Sequence, residues 1–332
     1  MFRYALLLFP ILVIVGCNSK QRKEAAGFTQ GTTYSVIYFS NGPDLQYQID
    51  SLLLDFDRVL STYQESSYIS KWSNSTAIGL PQPSMFKEVV RHSIEINANT
   101  NGAFDITVSP LMDYWFENDW KIEKVDSAKV DSLKSSIGMD KVMLQQGDYV
   151  QSGSSIRLDV NAIAQGYSVD VLSRYLESLG IFNYLVEIGG EVRADGAKDD
   201  GENWTVGIER PNDQNLGQEL MMSVKLKGRS LATSGNYRKF IEINGQKFGH
   251  SLNPQTGYPA STDVLSATVI ARDCMTADAY ATALMVMGFE KAKQLVEQDS
   301  TLEAVLIYSE NAELSTWQSD GVGGVMLKPV AE

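Results

Sequence analysis

The chain has 332 residues and carries 41 Asp and Glu against 28 Lys and Arg, a formal net charge of −13. No basic run or basic–aromatic stripe breaks the acidic body, which excludes the electrostatic footprint of a nucleic-acid binder. Of its two cysteines, Cys17 falls in the N-terminal leader described next, so Cys274 has no internal partner and the fold must stand without disulfides.

In chain order, Arg3 precedes an apolar run from Ala5 to Val15 that is interrupted only by Pro10 and ends at Gly16-Cys17. A short hydrophobic core behind a basic start reads as a secretory leader, too short to span a bilayer comfortably. Its ending, Ile14-Val15-Gly16-Cys17, resembles a bacterial lipobox, in which Cys17 becomes the lipidated N-terminus and each buried methylene adds roughly 0.8 kcal/mol of anchoring. The organisation expected is residues 1–16 as leader, 17–27 as a flexible tether on the strength of the polar run NSKQRKEAA, and 28–332 as the folded body. The predicted location is the periplasmic side of a bacterial membrane, held by lipid.

Gly31 to Phe39 alternates and is rich in β-branched and aromatic residues, so it predicts a strand. Asp44 to Leu60 and Ser84 to Thr100 have apolar residues at helical spacing. Trp115 to Ser136 is charged and reads as a surface excursion. Ser155 to Val160 predicts a strand and Ala162 to Leu179 a helix. Further strands are expected over 184–188, 204–209, 223–226, 239–243, 266–270 and 302–308. Strands joined by short turns, with a few long helices, argue for an α+β fold of mainly antiparallel sheets flanked by helices.

Arg272 to Gly288, RDCMTADAYATALMVMG, is the segment richest in information. It reads as a buried helix, yet it carries Asp278 and Thr282 four residues apart, one above the other on a single face. A lone buried carboxylate is costly, and a hard divalent cation with oxygen ligands would offset that cost. The same spacing also suits an Asp that caps a nearby loop and a Thr bonded back to its own helix. His250 opens a turn dense in Asn, Pro, Thr and Gly; it is the side chain best placed for base catalysis near neutral pH, and equally readable as a structural turn residue. His92, inside an amphipathic helix, reads as structural.

Five clusters rich in glycine and polar residues punctuate the chain: NGAFDITVSPL (101–111), LDVNAIAQGYSVD (158–170), VEIGGEVRADG (186–196), LATSGNYR (231–238) and HSLNPQTGYP (250–259). Singly, each is compatible with a plain turn. Together, in this order and with LSTY at 60–63 and TADAYAT at 276–282, they resemble the ApbE family of FAD:protein FMN transferases from about Gly31 to Gly288.

The resemblance implies a T-fold-like architecture of two intertwined subdomains and the magnesium-dependent transfer of FMN from FAD to a Thr or Ser hydroxyl of an acceptor protein, with release of AMP. It implies Asp278, Thr282 and the Ala162 carbonyl as Mg2+ ligands. Gln30, Tyr63, Ala103, Phe104, Asp105, Asp159, Gln165 and Leu252 fall where the family contacts FAD, and His250 falls where a group assists removal of the acceptor's proton. The partner implied is an exported, membrane-associated electron-transfer subunit. Gln30, Gln165, Asn253 and Glu187 stand where the family usually has Met, Lys, Asp and Asn. FAD pyrophosphatase activity, or flavin binding without catalysis, are the rival readings of the same residues.

Overall fold

The computed structural model describes residues 20–74, 81–145, 149–152, 156–210, 220–235, 240–243, 246–249, 251–311, 313–323 and 325–326. Cys17, the leader and His250 lie outside the described residues.

Strands β1 (Gln21–Thr29) and β2 (Thr32–Ser40) form a hairpin. Its turn residues Gln30 and Gly31 have φ of 51° and 77°, both positive, as the two-residue turn matching strand twist requires. There follow α1 (Gln46–Leu60), α2 (Tyr68–Asn74), α3 (Ser84–Asn99), α4 (Ser109–Glu117) and α5 (Ser127–Ser136). The hairpin of β3 (Val142–Gln145) and β4 (Tyr149–Ser152) leads to α6 (Asn161–Ser178). After it come β5 (Tyr184–Ile188), β6 (Glu191–Asp195), β7 (Trp204–Glu209), β8 (Leu220–Leu226), β9 (Arg229–Gly235), β10 (Phe240–Ile243), β11 (Gln246–Gly249) and β12 (Val264–Ala271). Helices α7 (Cys274–Met287) and α8 (Phe289–Gln298), then β13 (Glu303–Glu310), β14 (Glu313–Gln318) and β15 (Val325–Met326), complete the order.

Eight strands make one sheet in the order β1-β2-β5-β6-β9-β12-β13-β14, every neighbouring pair antiparallel. Strand alternation supplies two apolar faces. On one, Tyr34, Val36, Tyr184 and Val186 pack under Ile49 and Leu53 of α1 and Leu172 and Leu176 of α6. On the other, Phe39, Val192, Leu231, Ile270 and Ile307 meet Trp204, Ile208, Met222 and Val224 of a second sheet, ordered β15-β8-β7. The expected α+β class with antiparallel sheets flanked by helices is what the chain adopts.

Helix α7 is buried on nearly all sides, among them Ala277, Ala279, Ala281, Ala283 and Leu284, as a helix apolar all round must be. Its alanines let it lie against both α6 and the sheet. Asp170 of α6 accepts from the amides of Cys274 and Met275 at 2.9 and 2.8 Å, and Asp273 accepts from Thr276 at 2.9 Å. These bonds satisfy amides of the first turn that have no partner inside the helix. Cys274 is buried, as a free cysteine that packs rather than reacts would be.

Three expectations need correction. The polar stretch read as a tether is strand from Gln21 onward: β1 is an edge strand that buries Ala25 and Thr29 and turns most other side chains to water, so its composition mimics a linker. Residues 156–160 run without a ladder partner rather than as a strand; the Asp159 amide donates to the Ile106 carbonyl at 2.7 Å and the Leu158 amide to Ser73 Oγ at 3.1 Å. The supposed surface excursion holds α5 and begins within α4, and Trp115 is fully buried, its indole N–H donating to Gly257 O at 2.9 Å. Charge hid that satellite core. Among the described residues no helix is long and apolar enough to cross a membrane.

Candidate functional site

Three adjoining cavities meet at the N-terminus of α6, and Asn161 lines all three. The first, about 1260 Å3 of empty volume, has an apolar wall of Phe104, Ile106, Val108, Met112 and Leu252, with Ala103, Asp105, Asp159, Ala162 and Thr282 around it. The second lies between the β1–β2 turn and α6 and is lined by Gln30, Tyr63 and Gln165. The third, also bordered by Tyr63 and Asp159, holds Arg157 and Phe116. The cavities join flat apolar surface to a few directed polar groups, the composition of a site for a ring-bearing ligand.

Each predicted residue that is described has a definite place. Gln30 holds the left-handed conformation, uncommon outside glycine, and its Nε2 is buried without a hydrogen-bond partner among the described residues. The turn accounts for the backbone; the orphan amide is the feature of a position kept for a ligand. Tyr63 is 85% exposed at the rim, its hydroxyl accepting from Asn161 Nδ2 at 3.3 Å. Phe104 is buried, and its carbonyl accepts from Asn97 Nδ2 at 2.7 Å. Asp105 accepts from the Thr107 amide and hydroxyl at 2.7 and 2.6 Å. Asp159 accepts from the Asn161 amide at 2.9 Å. Leu252 is buried and bridges to Pro259. Gln165 donates Nε2 to the Ile188 carbonyl at 2.9 Å.

Asp278 and Thr282 sit one turn apart on α7. The Thr282 hydroxyl lies 3.1 Å from Ser234 Oγ of β9. Asp278 is 6% exposed and its Oδ2 accepts from the Gly166 amide at 2.9 Å. Burial pushes its carboxyl up to about 7; the negative charge of Asp170 adds to the rise and the Gly166 N–H opposes it. Burial likewise raises Asp105, against the bonds from Thr107, and Asp159, against the bond from Asn161. The described lining of the first cavity contains Asp105 and Asp159 and that of the second Asp57, and neither contains Lys or Arg. Arg157, in the third, is paired with Asp113 at 2.6 Å.

That distribution tests whether a cation fits. Among the described residues no three His, Cys, Asp or Glu side chains converge on a metal position. A cation at Asp278 would therefore complete its shell with neutral oxygens, the Thr282 hydroxyl and the Ala162 carbonyl, and with water. One carboxylate plus neutral oxygens is the donor set of magnesium, which keeps much of its water. The residues fit.

Asn161 is the site residue that sequence reasoning missed. It sits inside the polar cluster at 158–170, but only the fold reveals that it borders every cavity.

The ApbE family profile matches residues 30–306. The chain is 32% identical to the FAD:protein FMN transferase of Vibrio cholerae, covering 94% of this chain and 95% of that protein. It is 31% identical to the FAD:protein FMN transferase of Escherichia coli K12, over 96% and 95%. The apo crystal structure of the flavinyl transferase ApbE of Pseudomonas stutzeri matches with a TM-score of 0.80 and 32% identity, over 91% of this chain and 96% of that one. The family profile, the relatives and the structural match each span most of its length, so this chain belongs to the ApbE family and is a transferase.

Proposed function

We propose that this chain is a magnesium-dependent FAD:protein FMN transferase that modifies a Thr or Ser hydroxyl of an exported acceptor protein and releases AMP. The observation that carries the reading is the pairing of an apolar slot with the carboxylates of Asp105 and Asp159 and, among the described lining residues, no Lys or Arg. A flat isoalloxazine or adenine suits the slot, but an anionic diphosphate is repelled unless a cation enters with it. Bound at Asp278, Thr282 and the Ala162 carbonyl, Mg2+ would neutralise the diphosphate and stabilise charge on the leaving phosphate.

The chain's own residues do the rest. Phe104, Met112 and Leu252 hold one ring and exclude water; Tyr63 covers the rim; Gln30 Nε2 and the Gln165 amide offer donors to the dinucleotide. The acceptor oxygen bonds to the phosphorus of the FMN half, the pyrophosphate P–O bond breaks, and AMP leaves with the bridging oxygen. His250, next in sequence to the cavity residues Ser251 and Leu252, takes the hydroxyl proton, a role typically worth about 100- to 10,000-fold. A Cys17 lipid anchor would hold the enzyme on the periplasmic side of the membrane, beside electron-transfer subunits.

Incubating the mature chain with FAD, Mg2+ and a candidate acceptor, then weighing the acceptor, tests the reading. A mass gain of one FMN group, dependent on Mg2+, is expected. AMP release with an unmodified acceptor would identify a hydrolase instead, and FAD binding without AMP release a carrier.

A further inference from the structure

Strand β6 opens with a carboxylate that the chemistry above does not use. Glu191 follows Gly189 and Gly190, whose φ values are 63° and 113°. Val192 and Ala194 enter the core between the two sheets, so alternation turns Glu191 and Arg193 toward the helix layer. Two contacts press this strand against the start of α7. Arg193 Nη1 donates to the Arg272 carbonyl at 3.0 Å, and the Cys274 thiol approaches the Val192 carbonyl at 3.7 Å. Asp278 lies one turn further along the same helix.

Glu191 Oε2 is buried and has no hydrogen-bond partner among the described residues. Gln165 bonds the Ile188 carbonyl and fills the space over Gly189, and the next residue, Gly166, donates to Asp278, so the turn that leads into Glu191 lies beside the Asp278 stretch of α7. The Arg193 guanidinium on the same strand is engaged elsewhere, with Asp170, Glu177, Tyr184 and the Arg272 carbonyl. Native interiors leave few polar atoms unsatisfied, and an orphan carboxylate oxygen beside a second carboxylate is the costliest kind.

We propose that Glu191 supplies a second carboxylate to the cation that Asp278 holds, so that sheet and helix grip the ion from opposite layers. The inference rests on the reading of Asp278 as a cation ligand and adds a residue to it. Magnesium retains part of its water, which gives Glu191 Oε2 the donor or ion it lacks. Two acids from different elements also make metal binding fasten β6 to α7.

Calorimetric titration of Mg2+ into the mature chain, alone and with saturating FAD, tests this without reading turnover. Wild type, Glu191→Gln and Asp278→Asn are compared, with thermal melts as a check on folding. Glu191→Gln is expected to melt no lower than wild type without metal and to bind Mg2+ about 10- to 100-fold more weakly, the range for losing a group that orients a metal site. Unchanged affinity in Glu191→Gln, with affinity lost in Asp278→Asn, overturns the role of Glu191 alone and points to two acids sharing a proton. No Mg2+ binding by the wild type, with or without FAD, sinks both readings. Should Glu191→Gln fail to fold, Glu191→Asp carries the test, because it keeps the charge and shortens the reach. An unchanged affinity there overturns the proposal equally.

Discussion

Gly166 lies against Asp278 with no room for a methyl group. Its amide donates to Asp278 Oδ2 at 2.9 Å, and a Cβ built on it would stand 2.7 Å from Asp278 Cβ and closer still to the Cys274 carbonyl oxygen. In an ordinary helix, Gly→Ala gains about 1 kcal/mol. Here the sign reverses, since α6 and α7 must part by more than either can give. Gly166→Ala is expected to lower stability by about 1–3 kcal/mol, the cost of overpacking, and to reduce flavin transfer by moving the Asp278 carboxylate. Urea unfolding and the mass assay measure the two effects on one preparation.

Asp278→Ala separates fold from chemistry. The carboxyl is pushed up by burial, so the folded state gains little from its charge. Removal is expected to leave the metal-free melt within a few degrees of wild type while transfer disappears. If the variant still modifies its acceptor with Mg2+ chelated, the mechanism is wrong.

The cap on α7 predicts a pH dependence. Burial, then the charge of Asp273, pushes the Asp170 carboxyl up to about 6, against the amides of Cys274 and Met275 and against Arg193. A carboxyl that holds its proton more tightly folded than unfolded makes stability fall as pH rises between those two values. The distance from the ordinary value of 3.8 to about 6 corresponds to about 3 kcal/mol. Asp170→Asn has no proton to lose there. Its stability relative to wild type is expected to rise between pH 4 and 6 by up to about 3 kcal/mol, whatever constant offset the altered cap adds. Urea unfolding at several pH values reads the slope; parallel curves for both proteins would refute the account.

Helix α7 was legible in the sequence because small apolar residues surround one Asp and one Thr, and the helical period aligns those two on a single face. Strand β1 was hidden because an edge strand exposes most of its side chains and so carries a linker's polarity. Trp115 was hidden for the opposite reason, a buried ring inside a charged stretch. Asn161 and Glu191 could not have been chosen from their neighbours. Bordering three cavities and lacking a hydrogen-bond partner are properties of the packed molecule, and no local pattern encodes them.

Tyr63 projects into solvent with 85% of its surface exposed, and its only described bond is a long one to Asn161. Nothing in the core depends on it. Tyr63→Ala is expected to change stability by less than about 0.5 kcal/mol. Loss of a stacking face costs about 1–3 kcal/mol per flat ring, so the Kd for FAD should rise at least several-fold. Flavin fluorescence titration gives the Kd, and an unchanged value would remove Tyr63 from the flavin site.

Gln165 stands at a position where the family resemblance implies Lys, and its own contacts suit an amide. Its Nε2 donates to the Ile188 carbonyl at 2.9 Å and fills the space over Gly189, where any added Cβ would collide with it. A lysine can keep that bond and also bring the first positive charge to a cavity lined by none among the described residues. Gln165→Lys is therefore expected to tighten FAD binding about 5-fold at low salt, as a partly exposed charge pair worth up to roughly 1 kcal/mol allows. The gain should vanish near 1 M salt, where the screening length falls to about 3 Å. Fluorescence titrations at the two salt concentrations separate this charge effect from a change in pocket shape, which salt would leave untouched.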